Sequence, residues 1–543
     1  MRRAVLAALA LVLTGCAGLP ESGPVERVAA AGSRTHSTVR YEPARPRPGA
    51  TPQQIVDGYL DAMLAYPEAT GIVQSYLTPR AVEDWKSTAG LTVYSRILPT
   101  LGDVKRNTAD VRIRAASILN IDPAGRAAVE APEVDRTLKL DRVAGQWRVS
   151  NPFPGYLVSS RFADDYVRSY PLWFFDESGE RLVPELAHAV VSEQLPLTLT
   201  RRLAGGPRES TLRTYLPTAA NLRVNVAGKI VEIDFRQAID GAADKVAAQL
   251  LSTLRGVAGL DGVRILVNGV PQGEVHPLDA VVGFGPGPLA SHVYAIQSGR
   301  VVDVTNHRRP IKGPWGKSAA DVGGLAVDTK EIAVVMRGRT SVAVGPRNGG
   351  KPARIAGRDF ADPVWDDVHG LWLVDNPQGV RVRLLRAGQV QPVGTDALGV
   401  VQSFAVSPDG SRYAAVTGSG QDAAVVVGAI EHDATGSPRR LLRPTVVSAA
   451  GAGERSVGWA SPTRVEFVAS GRAGEQLYSV GLDGADLATG QPLAGGVASW
   501  AGPAADRADR WAIDDHGRLW VREPGGGWAH GAKGVYRALS SGR

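Results

Sequence analysis

The sequence predicts a multidomain chain, α+β in its first half and all-β in its second. Three observations carry this. The chain has 543 residues, and at 44% hydrophobic and 21% charged it has the composition of globular domains, with room for about three of 100–200 residues. Helical spacing of apolar residues disappears beyond the glycine-rich stretch 283–287. After it, short strand-like segments carry similar anchors about every 40 residues.

Residues 1–15 read as a signal peptide. Arg2 and Arg3 precede an apolar run from Val5 to Val12 that is too short to span a bilayer, which takes about 20 residues. The run ends in Leu13-Thr14-Gly15-Cys16, which resembles the bacterial lipobox. Cys16 is the single cysteine of the chain and stands where lipid attachment would need a thiol. The expectation is cleavage before Cys16, lipidation of Cys16, and anchorage at the extracytoplasmic face of the cell membrane. One cysteine also excludes disulfides within the chain and cysteine-based metal sites.

The segment 16–49 is rich in Gly, Pro, Ser and Arg without an apolar period, and is expected to act as a lipidated tether. The formal net charge of +7 includes Arg2 and Arg3, and no dense Lys/Arg cluster tracks a phosphate backbone, so nucleic acid is not an expected partner.

Residues 50–155 are expected to form an α+β domain. Thr51-Pro52 is a helix start, with Ile55, Tyr59, Met63 and Leu64 on one face, and a second helical stretch from Gly71 to Trp85 is expected to break at Pro79. The period then changes to two, predicting strands at 92–97, 109–113, 118–121, 126–131, 137–140 and 146–149. Tyr76-Leu77-Thr78-Pro79 and Gly145-Gln146-Trp147-Arg148-Val149, with this element order, resemble the NTF2-like cone fold. No convergent acid, base or histidine set occurs here, so the expected interior is filled by side chains or the domain serves as an interaction surface.

Residues 165–284 are expected to form a second α+β unit. Strands at 170–175 and 181–184 flank the turn Asp176-Glu177-Ser178-Gly179, and 187–202 reads as a helix ending at Gly205-Gly206-Pro207. Strands at 221–226 and 229–235, a helix over 237–256 and a strand at 263–267 complete it. Val231-Glu232-Ile233-Asp234-Phe235, Gln249-Leu250-Leu251-Ser252-Thr253-Leu254, Val263-Arg264-Ile265-Leu266-Val267-Asn268-Gly269 and Leu203-Ala204-Gly205-Gly206-Pro207 are similar to the GerMN module of sporulation proteins and lipoproteins. Asp234 has no acidic or basic partner spaced with it and is expected to cap a strand end.

Residues 285–543 are expected to form a β-propeller. The anchors are Leu325-Ala326-Val327-Asp328, Pro363-Val364-Trp365-Asp366, Phe404-Ala405-Val406-Ser407, Val457-Gly458-Trp459-Ala460 and Val497-Ala498-Ser499-Trp500. Their period suits four-stranded blades, and radial repetition protects strand edges. Ser407-Pro408-Asp409-Gly410 and Leu482-Asp483-Gly484 read as hairpin turns, since calcium loops need further acidic residues at alternate positions. Trp365, Trp372, Trp459, Trp500, Trp511, Trp520 and Trp528 are expected in blade cores.

The whole arrangement, with Tyr170-Pro171-Leu172-Trp173-Phe174-Phe175 and Arg181-Leu182-Val183-Pro184, resembles the actinobacterial lipoprotein LpqB family. That resemblance implies a partner, the extracellular domain of an MtrB-like sensor histidine kinase, whose response regulator is MtrA. It also implies an influence on cell-envelope homeostasis and division. An alternative is a carrier of cell-wall glycan or lipid precursors.

A cell-wall hydrolase would need facing carboxylates. Asp366-Asp367 and Asp514-Asp515 are adjacent pairs, and adjacent strand residues point to opposite faces. The nine histidines form no His-x-x-x-His or His-Glu-x-x-His pattern. The expectation is therefore a non-enzymatic protein with no catalytic residue, metal or cofactor.

Overall fold

The computed structural model describes residues 43–542 apart from 68–69, 130–131, 240, 286–291, 367, 434, 449–452, 472–473, 494, 503–509 and 524–526. The expected signal peptide 1–15, Cys16 and the tether as far as residue 42 lie outside the described residues.

The first domain begins with helix α1 (Pro52–Ala62). Thr51 Oγ1 accepts from Gln54 N and Gln54 Oε1 accepts from Thr51 N, so two N-terminal donors are satisfied reciprocally. Helices α2 (Thr70–Ser75) and α3 (Pro79–Asp84) follow, divided at Pro79 as expected. The sheet consists of β1 (Leu91–Val104), β2 (Thr108–Ile121), β3 (Ala127–Ala128), β4 (Val134–Val143), β5 (Gln146–Val149) and β6 (Tyr156–Ser159), in the order β5-β4-β2-β1-β6 with β3 beside β2. Two expected strands, 109–113 and 118–121, are one continuous β2. Strand β6, which pairs parallel to β1, carried no expectation. The face between helices and sheet is filled by Tyr59, Val111, Leu138, Trp147 and Tyr156. Residues 44–49, expected to belong to the tether, are docked on this domain: Tyr76 donates to the Ala44 carbonyl and Gly49 N to Gln146 Oε1, each at 2.8 Å.

The second domain contains β7 (Val167–Asp176), β8 (Leu182–Val190), α4 (Ser160–Tyr166) leading into it, α5 (Leu195–Ala204), β9 (Leu212–Arg213), β10 (Leu222–Ala227), β11 (Ile230–Phe235), α6 (Ala243–Leu254), β12 (Gly262–Val267), β13 (Val270–Pro271) and β14 (His276–Pro277). The helix expected over 187–202 is a correction. Residues up to Val190 extend β8, paired along its whole length with β7, and the helix starts only at Leu195, with Pro196 in its first turn. Strand pairing to an apolar neighbour outweighs helical spacing here. Helix α6 binds the two sheets together. Its buried Gln249 donates to the Trp173 carbonyl (2.9 Å) and accepts from Tyr215 N (2.8 Å), while Thr253 Oγ1 accepts from Trp173 N (3.0 Å).

The third domain is a propeller of six blades among the described residues. Two hydrogen-bonded sheets contain two blades each and two further sheets contain one each. Five innermost strands are Val322–Val327, Val364–Asp366, Val401–Val406, Ser456–Ser461 and Ser499–Ala501, and each overlaps one anchor seen in the sequence. The sixth is Tyr536–Gly542. It pairs antiparallel with His292–Gln297, so the first blade combines one strand from the end of the domain with three from its beginning. Cores between blades hold Trp372, Trp459 and Trp500, with Trp365, Trp511, Trp520 and Trp528 packed at their margins.

Candidate functional site

The hairpin turns are built by carboxylates. Asp366 accepts from Val368 N, His369 N and Trp372 Nε1, and its second oxygen stands 2.6 Å from His369 Nδ1. Burial opposes its ionisation, but His369, Trp372 and the Val368 N–H outweigh that and hold the carboxyl below its ordinary range. Asp514 behaves alike, with burial offset by Arg518 N, Trp520 Nε1 and the Arg518 guanidinium. Each stays ionised and bound to its own turn. Neither has the raised pKa of a general acid. Asp367, the neighbour of Asp366, lies outside the described residues. Asp409 accepts from Ser407 Oγ and Ser411 N, and Gly410 takes the left-handed conformation (φ 73°) that closes this turn. Asp234 accepts from Gly269 N at 2.9 Å, the strand-end role expected of it.

Beside the Asp409 turn the propeller meets the second domain through charged groups remote in sequence. Arg412, 2% exposed, donates from Nε to Glu209 Oε1 (2.9 Å) and from Nη1 to the Pro184 carbonyl (2.8 Å). Burial works against its charge, and Glu209, Asp409 and Glu185 more than restore it. Glu185 accepts from the backbone N–H groups of Arg208 and Glu209, while burial raises its pKa.

His188 on β8 links all three domains. Its N–H donates to the Gly125 carbonyl of the first domain (2.6 Å). Its carbonyl accepts from Arg202 Nη1 (2.8 Å), and Arg202 Nε reaches the Pro123 carbonyl (3.3 Å). Its buried ring places Nε2 2.8 Å from Asp483 Oδ2 in the propeller.

Below the third and fourth blades His369 Nε2 and His432 Nε2 stand 3.2 Å apart, with stacked rings. A carboxylate only accepts, so His369 donates to Asp366 through Nδ1. Its Nε2 faces the His432 Nε2 within hydrogen-bond distance, and one of the two carries the shared proton. Burial, then the neighbouring His369, push the His432 pKa down to about 4.

None of His188, Arg412, Glu209 or His432 was singled out from the sequence. For His188 the available signal was a polar residue inside an apolar run, Ala187-His188-Ala189, while Arg412 follows a polar turn and carried none. Partners 203 and 295 positions apart leave no local spacing.

The six inner strands enclose a channel of about 440 Å3, with Arg339, Asp362, Gln402, Ser403 and Arg455 among its lining. Its charges are largely committed: Arg339 pairs with Asp362 (2.6 Å) and Arg455 with Glu475 (2.7 Å). Among the described residues no group of three or more His, Cys, Asp or Glu side chains could hold a metal ion, and no helix is long and apolar enough to cross a membrane.

Fold and seam together define a three-domain propeller protein whose titratable groups fasten turns and domains. Residues 45–164 match the lipoprotein LpqB N-terminal domain, 171–273 the Germane domain of sporulation and spore germination, and 299–538 the lipoprotein LpqB beta-propeller domain. The chain belongs to the lipoprotein LpqB family. Relatives named Lipoprotein LpqB include those of Cutibacterium acnes (28% identical, 60% of this chain and 58% of the relative), Thermobifida fusca (26%, 78% and 80%) and Streptomyces coelicolor (26%, 89% and 88%). The family is named for a lipoprotein with a propeller, not for an enzymatic activity. A solved nidogen/laminin complex chain overlaps 46% of this chain at a TM-score of 0.35 and 11% identity, too distant to bear on function.

Proposed function

We propose that the protein is anchored by lipid on Cys16 at the extracytoplasmic face of the membrane. There it binds the extracellular domain of an MtrB-like sensor histidine kinase and biases its output, and through it envelope homeostasis and division. The observation that carries this reading is the family membership of the chain, supported by matches to all three domains in order. A tether to the membrane raises the effective concentration of a membrane partner, so a modest contact suffices. A body whose domains are fastened by buried polar contacts can present one surface that distinguishes two states of a receptor, which coupling requires. The role is non-enzymatic: Asp366 and Asp514, the hydrolase candidates, are committed to turns.

The test uses chain lacking residues 1–16 and the kinase extracellular domain in a pull-down, with autophosphorylation measured in reconstituted membranes. Binding with a changed autophosphorylation rate is expected. Absence of both removes the kinase reading.

A further inference from the structure

Where the three domains meet, the structure contains a cavity of about 750 Å3. Its walls come from Val129 of the first domain, Leu186 and Arg208 of the second, and Arg443, Val446 and Leu482 of the propeller. This volume lies in the range of small-molecule sites, which favour domain junctions.

The charges on its floor are already spent. Arg412 is taken by Glu209 and the Pro184 carbonyl, Asp483 by His188, and Glu185 by two backbone N–H groups. Arg208 and Arg443 differ. Both are exposed at the rim, and among the described residues neither guanidinium has an ion-pair partner. Beside them Val129 and Val446 are 47% and 53% exposed, although each lines a concave surface where an apolar group is normally covered. The cavity therefore pairs two uncommitted cations with an uncovered aliphatic wall.

We propose that this junction binds a small amphiphilic anion, its aliphatic segment against Val129, Leu186 and Val446 and its carboxylate or phosphate between Arg208 and Arg443. A guanidinium fork matches either anion in two parallel hydrogen bonds. The aliphatic wall selects against a bare anion, and the two cations against an uncharged tail. Because the walls belong to three domains, the occupant stabilises their mutual arrangement. This reading is independent of the kinase proposal, and its test contains no kinase.

Residues 40–543 form one compact unit, so the chain lacking residues 1–16 serves as the sample. Calorimetric titration would compare octyl phosphate, decanoate, inorganic phosphate and octyl glucoside, each below its micellar concentration. Saturable one-to-one binding is expected for octyl phosphate, decanoate or both, and the comparison between them identifies the preferred head group. Phosphate and octyl glucoside are expected to bind at least tenfold more weakly. The double variant Arg208→Ala/Arg443→Ala, both exposed positions, should keep its melting temperature and lose binding at least tenfold. Failure of both anions to bind saturably, equal binding of octyl glucoside, equal binding of inorganic phosphate, or an unchanged affinity in the folded double variant would each overturn the proposal.

Discussion

Arg412 of the propeller, itself buried, and the half-buried Glu209 of the second domain, 203 positions apart, form an ion pair of 2.8–2.9 Å at the seam between their domains. The guanidinium is also bound to the Pro184 carbonyl. A charge in this position holds only while its partners are present, because an isolated buried ion is expensive.

Arg412→Ala strands Glu209 and an acceptor on β8, and is expected to destabilise the protein by on the order of 3 kcal/mol. Urea unfolding should split into separable transitions as the second domain loses its hold on the propeller. Combined with Glu209→Gln, the two losses should be non-additive. Strict additivity would mean the pair does not couple the domains.

His432 predicts an acid limb of stability. The ring has a pKa of about 4 in the folded protein against an ordinary 6.5, so the unfolded chain takes up the proton first. Stability from this group is complete above about pH 6.5 and declines as pH falls toward 4, by roughly 3 kcal/mol in all. Denaturation midpoints across this window should fall less steeply in His432→Gln. An identical slope in both proteins would contradict the assignment.

Cys16→Ala should lose metabolic lipid labelling and appear either released from the membrane or unprocessed. Labelling that persists would place the lipid elsewhere.

Deletion of residues 536–543 removes the inner strand of the first blade and exposes the edge of His292–Gln297. The expected outcome is loss of cooperative melting of the propeller and self-association measurable by light scattering, since an open apolar edge pairs with other chains. A monomeric protein with an unchanged melting curve would show that the clasp is dispensable.

Much of this architecture was legible because it is local. Thr51, Pro52 and Gln54 announce a helix start within four residues, and the five anchors repeat because each inner strand meets the same surroundings. The sixth inner strand was missed: Tyr536-Arg537-Ala538-Leu539 lacks the anchor pattern, and its partner Ile296 lies some 240 positions earlier. The misread helix over 187–202 has a physical cause. Val191, Leu195, Leu199 and Leu203 repeat every four residues, and that period masks the neighbouring segment, which pairs with β7 instead. Pro196, which favours the first turn of a helix, marks the true start. The seam around His188 and Arg412 had no local signature, because each partner is supplied by a different domain.

The clasp of the first blade also sets an order of events. A chain that is made, or threaded through a pore, from its N-terminal side delivers His292–Gln297 long before Tyr536–Gly542. Through that interval the edge awaiting its partner stays exposed, and loop closure over this separation comes late and slowly. The ring is closed only when Tyr536–Gly542 has paired with that edge. Any product that breaks off early displays an unfilled edge for chaperones and proteases to find.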